Sequence, residues 1–237
     1  MISFSQFYEE KLYPLQDGVM SVMSNCAARF YLTGGTALSR VHYHHRYSDD
    51  LDFFVNADPD YDAQRLVVLA ALKDAGFVWS TTADYWHNDG FLSLKVRRPD
   101  DDTLLKLDFV NDVGVHFGGL TQSPLYGRID SPRNIISNKL GAIFRYEAKD
   151  IADIWALAQH ENFDWREIFQ EAQQKDGAAQ VQMVTNIIKS LPQNLFDNLR
   201  WITKPDWQDF TADLDRIVRQ MLGDEGAEYV SPPQRGG

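Results

Sequence analysis

Short apolar runs alternate with glycine and proline turns in the first part of the chain, a pattern typical of mixed strands and helices. Residues 14–26 have apolar positions at helical spacing. Residues 62–75 predict an amphipathic helix, whose apolar side we assign to Leu66, Leu69, Ala70 and Leu72. Strand composition is found in residues 30–32, 51–55, 77–80, 91–98 and 103–110. These segments predict a mixed sheet with flanking helices.

The pattern changes to helices alone near residue 131. Helical spacing runs through residues 133–146, and Asp150 could cap a second helix that includes residues 154–157. Further helices are predicted at residues 164–175, 178–191 and 207–222. The predicted fold class is therefore α+β. A sheet domain covers residues 1–130, a helical domain over 131–230 completes a functional cleft, and residues 231–237 form a flexible tail.

Charge and composition argue against several classes of protein. The 237 residues carry 34 acidic and 23 basic side chains, a formal net charge of −11, which argues against non-specific coating of nucleic acid. Basic residues gather between Lys95 and Lys149, where a polyanion could dock. The single cysteine, Cys26, excludes an internal disulfide and is assigned to the core. Without a signal sequence or an apolar span, the chain is expected in the cytoplasm, away from membranes.

Two aspartates interrupt an apolar strand. Asp50 and Asp52 alternate with Leu51 and Phe53, so both carboxylates project from the same strand face. Asp108, on a later strand, can join them if the two strands are neighbours. Such a cluster could hold the two divalent cations of phosphoryl chemistry, and oxygen donors favour Mg²⁺ or Mn²⁺. An Asp-x-Asp pair alone is often only a surface feature, but the apolar setting favours a site.

A glycine turn precedes these aspartates. Gly34 and Gly35 let the backbone approach a ligand closely, while Thr36 adds a hydroxyl to the N–H groups of a helix start. The bare triplet is equally compatible with an ordinary strand-to-helix turn. The combination is more specific, because the carboxylate strand follows after thirteen residues.

Three stretches carry a resemblance to a known family: residues 32–38, residues 48–54 and residues 138–153. At these positions the chain resembles the AbiEii/AbiGii toxins, the nucleotidyltransferase half of bacterial type IV toxin–antitoxin or phage-abortive systems. The resemblance implies the DNA polymerase beta superfamily fold and transfer of a nucleoside monophosphate from a nucleoside triphosphate to an acceptor hydroxyl, with release of pyrophosphate. It further implies tRNA or another macromolecule as acceptor and a cognate antitoxin as partner.

The resemblance also implies roles for individual residues. Gly35, Thr36, Asp50 and Asp52 would form the nucleotide and metal site, Lys139 would contact the triphosphate, and Asp150 would belong to the final motif. We therefore assign catalysis to Asp50, Asp52, Asp108, Lys139 and Asp150, and metal binding to the first three. Nucleotide binding is assigned to Gly34, Gly35, Thr36, Lys106, Arg145 and Lys149. Lys149 stands where the family often has arginine, which removes a bidentate contact.

Each helical assignment has an alternative. Lys139 could be a solvated lysine, Arg145 and Lys149 could cover a helix surface, and Asp150 with Asp153 could be a cap and an ion-pair partner. Lys106 could orient Asp108, contact phosphate or form a structural ion pair. The spacing of His42, His44 and His45 favours a polar face over a zinc site. Four tryptophans could stack bases, although helical tryptophans usually pack: Trp155, Trp165, Trp201 and Trp207.

Two other functions remain compatible with the sequence. The acceptor could be a small cationic molecule, as in antibiotic-modifying nucleotidyltransferases, which would suit the acidic net charge. Alternatively, the fold could serve as a nucleotide-binding or interaction module without turnover, although Asp50, Asp52 and Asp108 argue against this.

Overall fold

A computed structural model describes residues 3–223 of the chain as an α+β fold. Its strands are β1 Tyr31–Thr33, β2 Asp50–Asn56, β3 Tyr85–Asn88, β4 Phe91–Val96, β5 Leu105–Asp112, β6 Thr121–Ser123 and β7 Gly127–Ile129. They form one mixed sheet in the order β3-β4-β5-β2-β1-β7-β6. The pairs β2/β5 and β1/β7 are parallel, and the other neighbouring pairs are antiparallel.

Ten α-helices lie within the described residues: α1 Phe4–Phe7, α2 Tyr13–Asn25, α3 Gly34–Thr36, α4 Tyr61–Asp74, α5 Pro132–Ala142, α6 Ala148–His160, α7 Trp165–Lys175, α8 Val181–Ser190, α9 Gln193–Asp197 and α10 Trp207–Met221. π-Helical turns cover Tyr8–Leu12 and Ala37–His42, and a 3₁₀ turn covers Ile143–Arg145. Among the helices of the described residues, none combines the length and the hydropathy that a membrane span requires. The predicted tail at residues 231–237 lies outside the described residues, as do residues 224–230.

The fold consists of two compact units. The sheet unit contains the chain up to Val41 together with Tyr47–Ser131. The helical unit contains His42–Arg46 and the chain from Pro132 onward. The helical unit is therefore discontinuous in sequence, because five residues that precede β2 belong to it.

One face of the sheet forms the core of the sheet unit. Burial along β2 alternates as predicted, with Leu51, Phe53 and Val55 buried between half-exposed neighbours. The Phe53 ring stacks on Phe109 of β5 at a centroid distance of 5.2 Å. Helix α4 packs here through Tyr61, whose hydroxyl donates to the Phe109 carbonyl at 2.9 Å.

The apolar side predicted for α4 is partly right: Leu72 is buried and Leu69 is half-buried, but the other two assigned residues face solvent. Leu66 is 60% exposed and Ala70 is exposed, whereas Tyr61, Gln64, Val68 and Leu72 are buried. Gln64 replaces an apolar residue on this side because its amide is satisfied: its Oε1 accepts from the Arg29 backbone and its Nε2 donates to Asp58. Hydrogen bonding has thus changed which helix face is buried.

The sequence prediction missed three short strands and assigned a strand to one segment that forms only a single bridge. The sequence did not predict β3, β6 or β7, which are only three or four residues long. The predicted strand at residues 77–80 is reduced to a single bridge between Val78 and Arg97. Cys26 is not a core residue, because it follows the last residue of α2 and is partly exposed.

Aromatic packing stabilises the helical unit. Trp155, Trp201 and Phe210 contact one another with centroid distances of 5.3 to 6.0 Å. The indole of Trp155 donates to Asp213, and that of Trp201 donates to the Phe196 carbonyl. Both tryptophans are packing residues, as the sequence favoured. Asp150 is not a helix cap, since Glu147 holds that position and Asp150 lies in the first turn of α6.

Candidate active site

The three predicted carboxylates lie on one face of the sheet. In the parallel pair β2/β5, Asp52 is directly opposite Asp108 and Asp50 is opposite Lys106. Residues opposite each other on neighbouring strands project to the same side. Asp50 and Asp52 are partly exposed, and Asp108 is 9% exposed. The open face of the sheet therefore carries three carboxylates on two adjacent strands.

Lys106 is the counter-ion of this cluster. Its ammonium lies 2.5 Å from Asp108 Oδ2, and the Ser93 hydroxyl donates to Asp108 Oδ1 at 2.7 Å. Burial favours the neutral amine, but the hydrogen bond to Asp108 and the charges of Asp108, Asp50 and Asp52 outweigh it and raise the Lys106 pKa. Lys106 is therefore positively charged, and its ion pair with Asp108 is one of the alternatives that the sequence left open.

The donor chemistry of the cluster fits a hard divalent cation, since all three side chains offer carboxylate oxygens. Asp108 is engaged by Lys106 and Ser93. In the arrangement that the structure has, however, the three side chains are not yet placed as a set of metal ligands, since no three acidic, histidine or cysteine side chains of the described residues form such a group. Binding a cation through Asp108 requires its ion pair with Lys106 to rearrange.

The glycine turn is packed directly against Asp52. Gly34 has a φ of +68°, and a Cβ atom there would collide with the Asp52 carboxylate. Only glycine combines this backbone conformation with that close approach. The Thr36 hydroxyl donates to the Asp50 carbonyl, so it fixes the turn to β2 rather than facing open space.

A buried acid that the sequence analysis missed supports the same turn. Asp130 is fully buried and accepts from the Thr33 hydroxyl at 2.6 Å. Its other oxygen lies 2.9 Å from His116 Nε2 and accepts from the Ser131 backbone at 2.8 Å. Thr33 immediately precedes Gly34, so Asp130 holds the entrance of the turn. In the sequence, only strand β7, which ends just before Asp130, could have indicated this position, and its three residues are too few to recognise.

The helical unit contains a second, buried charge cluster. The Lys139 ammonium lies 2.8 Å from Asp150 and 2.6 Å from Asp153. Arg46 forms a bidentate pair with Asp153, and His45 Nε2 lies 2.8 Å from Asp153 Oδ1. The alternative of a solvated Lys139 is wrong, and so is a polar surface position for His45. The ion-pair alternative for Asp153 is confirmed.

Charge explains how this cluster tolerates burial. Desolvation alone would raise the Asp153 pKa, but Arg46, Lys139 and the hydrogen bond from His45 hold it well below its usual range. Lys139 shows the opposite balance, since its two aspartates raise its pKa against desolvation. The charged forms persist because each has partners.

Two further basic residues lie at the edge of this cluster. Arg145 is exposed and donates to both oxygens of Asp150 at 3.0 and 2.9 Å. Lys149 is partly exposed and pairs with Glu147 at 3.0 Å. Both therefore have ion-pair partners within the helical unit, and their predicted contacts with nucleotide stay predictions.

Comparison with solved structures reveals the same fold. A candidate nucleotidyltransferase from H. pylori is 19% identical, with 97% of this chain and all of that chain covered at a TM-score of 0.64. JHP933 from Helicobacter pylori is 19% identical over 94% of both chains, with a TM-score of 0.58. The nucleotidyltransferase toxin MenT4 from Mycobacterium tuberculosis H37Rv is 18% identical, covering 89% of this chain and 82% of its own, with a TM-score of 0.54.

At these identities the likeness concerns the fold alone. No curated protein matches the chain. The family described as "Nucleotidyl transferase AbiEii toxin, Type IV TA system" matches residues 21–223, which include every residue assigned to the site. The chain therefore belongs to the AbiEii nucleotidyltransferase toxin family.

Proposed function

We propose that this nucleotidyltransferase moves a nucleoside monophosphate from a nucleoside triphosphate to a hydroxyl at the end of an RNA such as tRNA, with Mg²⁺ or Mn²⁺ as cofactor. One observation carries the proposal: Asp52 lies opposite Asp108 and in contact with the Gly34 turn. The glycine turn, to which we assign phosphate binding, therefore lies next to the paired carboxylates on the sheet.

Each residue has a chemical task in this proposal. The turn at Gly34 and Gly35 brings backbone N–H groups close to the triphosphate without side-chain obstruction. Asp50, Asp52 and Asp108 would hold the divalent cations, which withdraw charge from the phosphoryl oxygens and acidify the attacking hydroxyl. Lys106 balances the negative charge of the cluster and orients Asp108. The roles of Lys139, Arg145, Lys149 and Asp150 toward the nucleotide remain part of the proposal.

The biological setting follows from the family. The type IV toxin–antitoxin description supports a toxin whose activity is restrained by a cognate antitoxin, with a nucleoside triphosphate as substrate. A small-molecule acceptor is the second candidate, favoured by the net charge of −11, which suits a cationic compound.

Incubation with labelled nucleoside triphosphates and Mg²⁺ tests the proposal, with and without total RNA. Label should appear in RNA with the wild-type protein, disappear with EDTA, and be absent with Asp52→Asn. Label in a small molecule would favour the second candidate. Binding of nucleotide without transfer to any acceptor would contradict the proposal and favour a module without turnover.

A further inference from the structure

An exposed tryptophan lies in the same row of the sheet as the carboxylates. Across five adjacent strands, the residues directly opposite one another are Trp86, Ser93, Asp108, Asp52 and Thr33. Such residues share one face, so the Trp86 side chain projects from the carboxylate side. Two strand spacings separate Trp86 from Asp108, roughly 10 Å.

Trp86 presents its ring to solvent. The residue is 56% exposed, although its ring contacts Phe91 at a centroid distance of 5.2 Å. Leu92 and Leu94, which flank Ser93 on β4, are fully buried on the other face. The apolar residues of these strands therefore have a core available, and Trp86 is directed away from it. An exposed indole offers a face on which an unpaired base can stack.

Positive charge lies between this platform and the carboxylates. Lys95 of β4 is directly opposite Lys106 of β5, and both project from the same face. Lys106 is paired with Asp108, whereas Lys95 is exposed. An exposed ammonium is a ready partner for a backbone phosphate, so Trp86 and Lys95 together match the base and the phosphate of one nucleotide.

The strand order indicates whether this nucleotide belongs to the incoming triphosphate or to the acceptor. The Gly34 turn follows β1 on one side of Asp52, whereas Lys95 and Trp86 lie beyond Asp108 on the other side. In-line displacement requires the attacking and leaving oxygens to lie on opposite sides of the reacting phosphorus. With the triphosphate at the glycine turn, the acceptor must approach from β4 and β3.

We propose that Trp86 and Lys95 form the acceptor subsite, which binds the unpaired terminal nucleotide of a nucleic acid with its base on Trp86 and a backbone phosphate at Lys95. This inference rests on the proposed function and specifies the acceptor as an end with an unpaired base. Trp86 and Lys95 are specificity-determining residues, since the reacting atoms lie at the carboxylates.

Binding without turnover tests the subsite independently of catalysis. In an Asp52→Asn background, fluorescence anisotropy would measure the affinity for a labelled single-stranded hexaadenylate RNA with a free 3′ hydroxyl, and for the same strand within a blunt duplex. Trp86→Ala should weaken single-strand binding roughly 5- to 100-fold, the usual range for loss of one stacking partner. Trp86→Phe should restore most of it, and Lys95→Ala should reduce the salt dependence by about one phosphate contact.

His87→Ala is the matched control, because His87 is an exposed ring on the same strand whose side chain projects from the opposite face. It should leave hexaadenylate affinity unchanged, and nucleoside triphosphate affinity should be unchanged in all variants. Equal binding of hexaadenylate by wild type and Trp86→Ala would overturn the inference. So would a loss confined to triphosphate affinity, which would place the incoming base on Trp86. Failure of the proposed function would appear separately, as wild-type protein that transfers no label to RNA.

Discussion

The ammonium of Lys139 lies 2.6 Å from Oδ2 of Asp153, and both side chains are buried. Lys139→Ala removes a cation that also contacts Asp150, which would leave two buried carboxylates with fewer partners. Breaking a buried pair in this way costs about 3–5 kcal/mol. Denaturant unfolding should show this loss, while Lys149→Ala, whose charge is partly exposed, should stay within about 0.5 kcal/mol of wild type. Equal stability of both variants would mean that Lys139 does not hold this cluster together.

Stability should fall when the pH drops below about 6.5. Desolvation lowers the pKa of His45, and Arg46 and Lys139 add to this effect, although Asp153 opposes them. Below the ordinary histidine pKa the unfolded chain takes up a proton that the folded chain resists, so protonation favours unfolding. The free energy of unfolding should therefore decrease between pH 7 and pH 5.5, and the decrease should be smaller in His45→Gln. Parallel pH profiles would exclude His45 as the cause.

Asp52→Asn should abolish nucleotide incorporation without loss of stability. The substitution removes one charge from a cluster of three carboxylates, which relieves repulsion in the absence of cations. Transfer of labelled nucleotide and thermal unfolding are the two measurements, with Asp74→Asn on the exposed end of α4 as the control. Wild-type incorporation by Asp52→Asn would rule out a cation held by this residue.

Gly34→Ala should impair both folding and activity. A φ of +68° costs a residue with a Cβ atom about 1–2 kcal/mol, and the new methyl group would also displace the Asp52 carboxylate. Gly119→Ala is the matched control, because a Cβ there meets no atom within 4 Å. Thermal unfolding and incorporation should both decline for Gly34→Ala alone. Unchanged incorporation would show that the turn and Asp52 are not coupled.

Lys106→Ala should reduce turnover in a way that excess Mg²⁺ partly restores. The variant loses the ammonium that orients Asp108 and balances the cluster, and a higher cation concentration can compensate for the lost charge. A lysine that stabilises the leaving pyrophosphate would instead lose roughly 2–4 kcal/mol of transition-state stabilisation that cations do not restore. Titrating Mg²⁺ with Lys106→Ala and Lys139→Ala separates the two roles, provided that turnover is expressed per folded protein, because Lys139→Ala also loses stability.

Features that depend on neighbouring residues in the chain could be predicted from the sequence. The alternation of Leu51, Asp52 and Phe53 follows from the two-residue period of a strand, and it placed the carboxylates on one face correctly. Their alignment with Asp108 depended on a strand order that no local pattern encodes. The same holds for Asp130, whose partners Thr33 and His116 are distant in sequence.

Burial of polar groups was the second source of error. Gln64 occupies the buried side of α4 and His45 is enclosed by charged partners, because hydrogen bonds compensate the cost of removing them from water. Hydrophobic periodicity cannot predict such positions. Trp86 was overlooked for a different reason, since a strand of four residues is too short to show alternation.

The discontinuity of the helical unit limits how this protein can be divided. A fragment that ends at residue 131 would retain His45 and Arg46 but lose Asp153, leaving an arginine without its acidic partner. A fragment that begins at residue 132 would carry Asp153 without two of its basic neighbours. The boundary at residue 131 is therefore unsuitable for a clean excision, and recombination there would interrupt a buried electrostatic network. Recombination preserves this network only when residues 42–46 and the helical segment after residue 131 are inherited together.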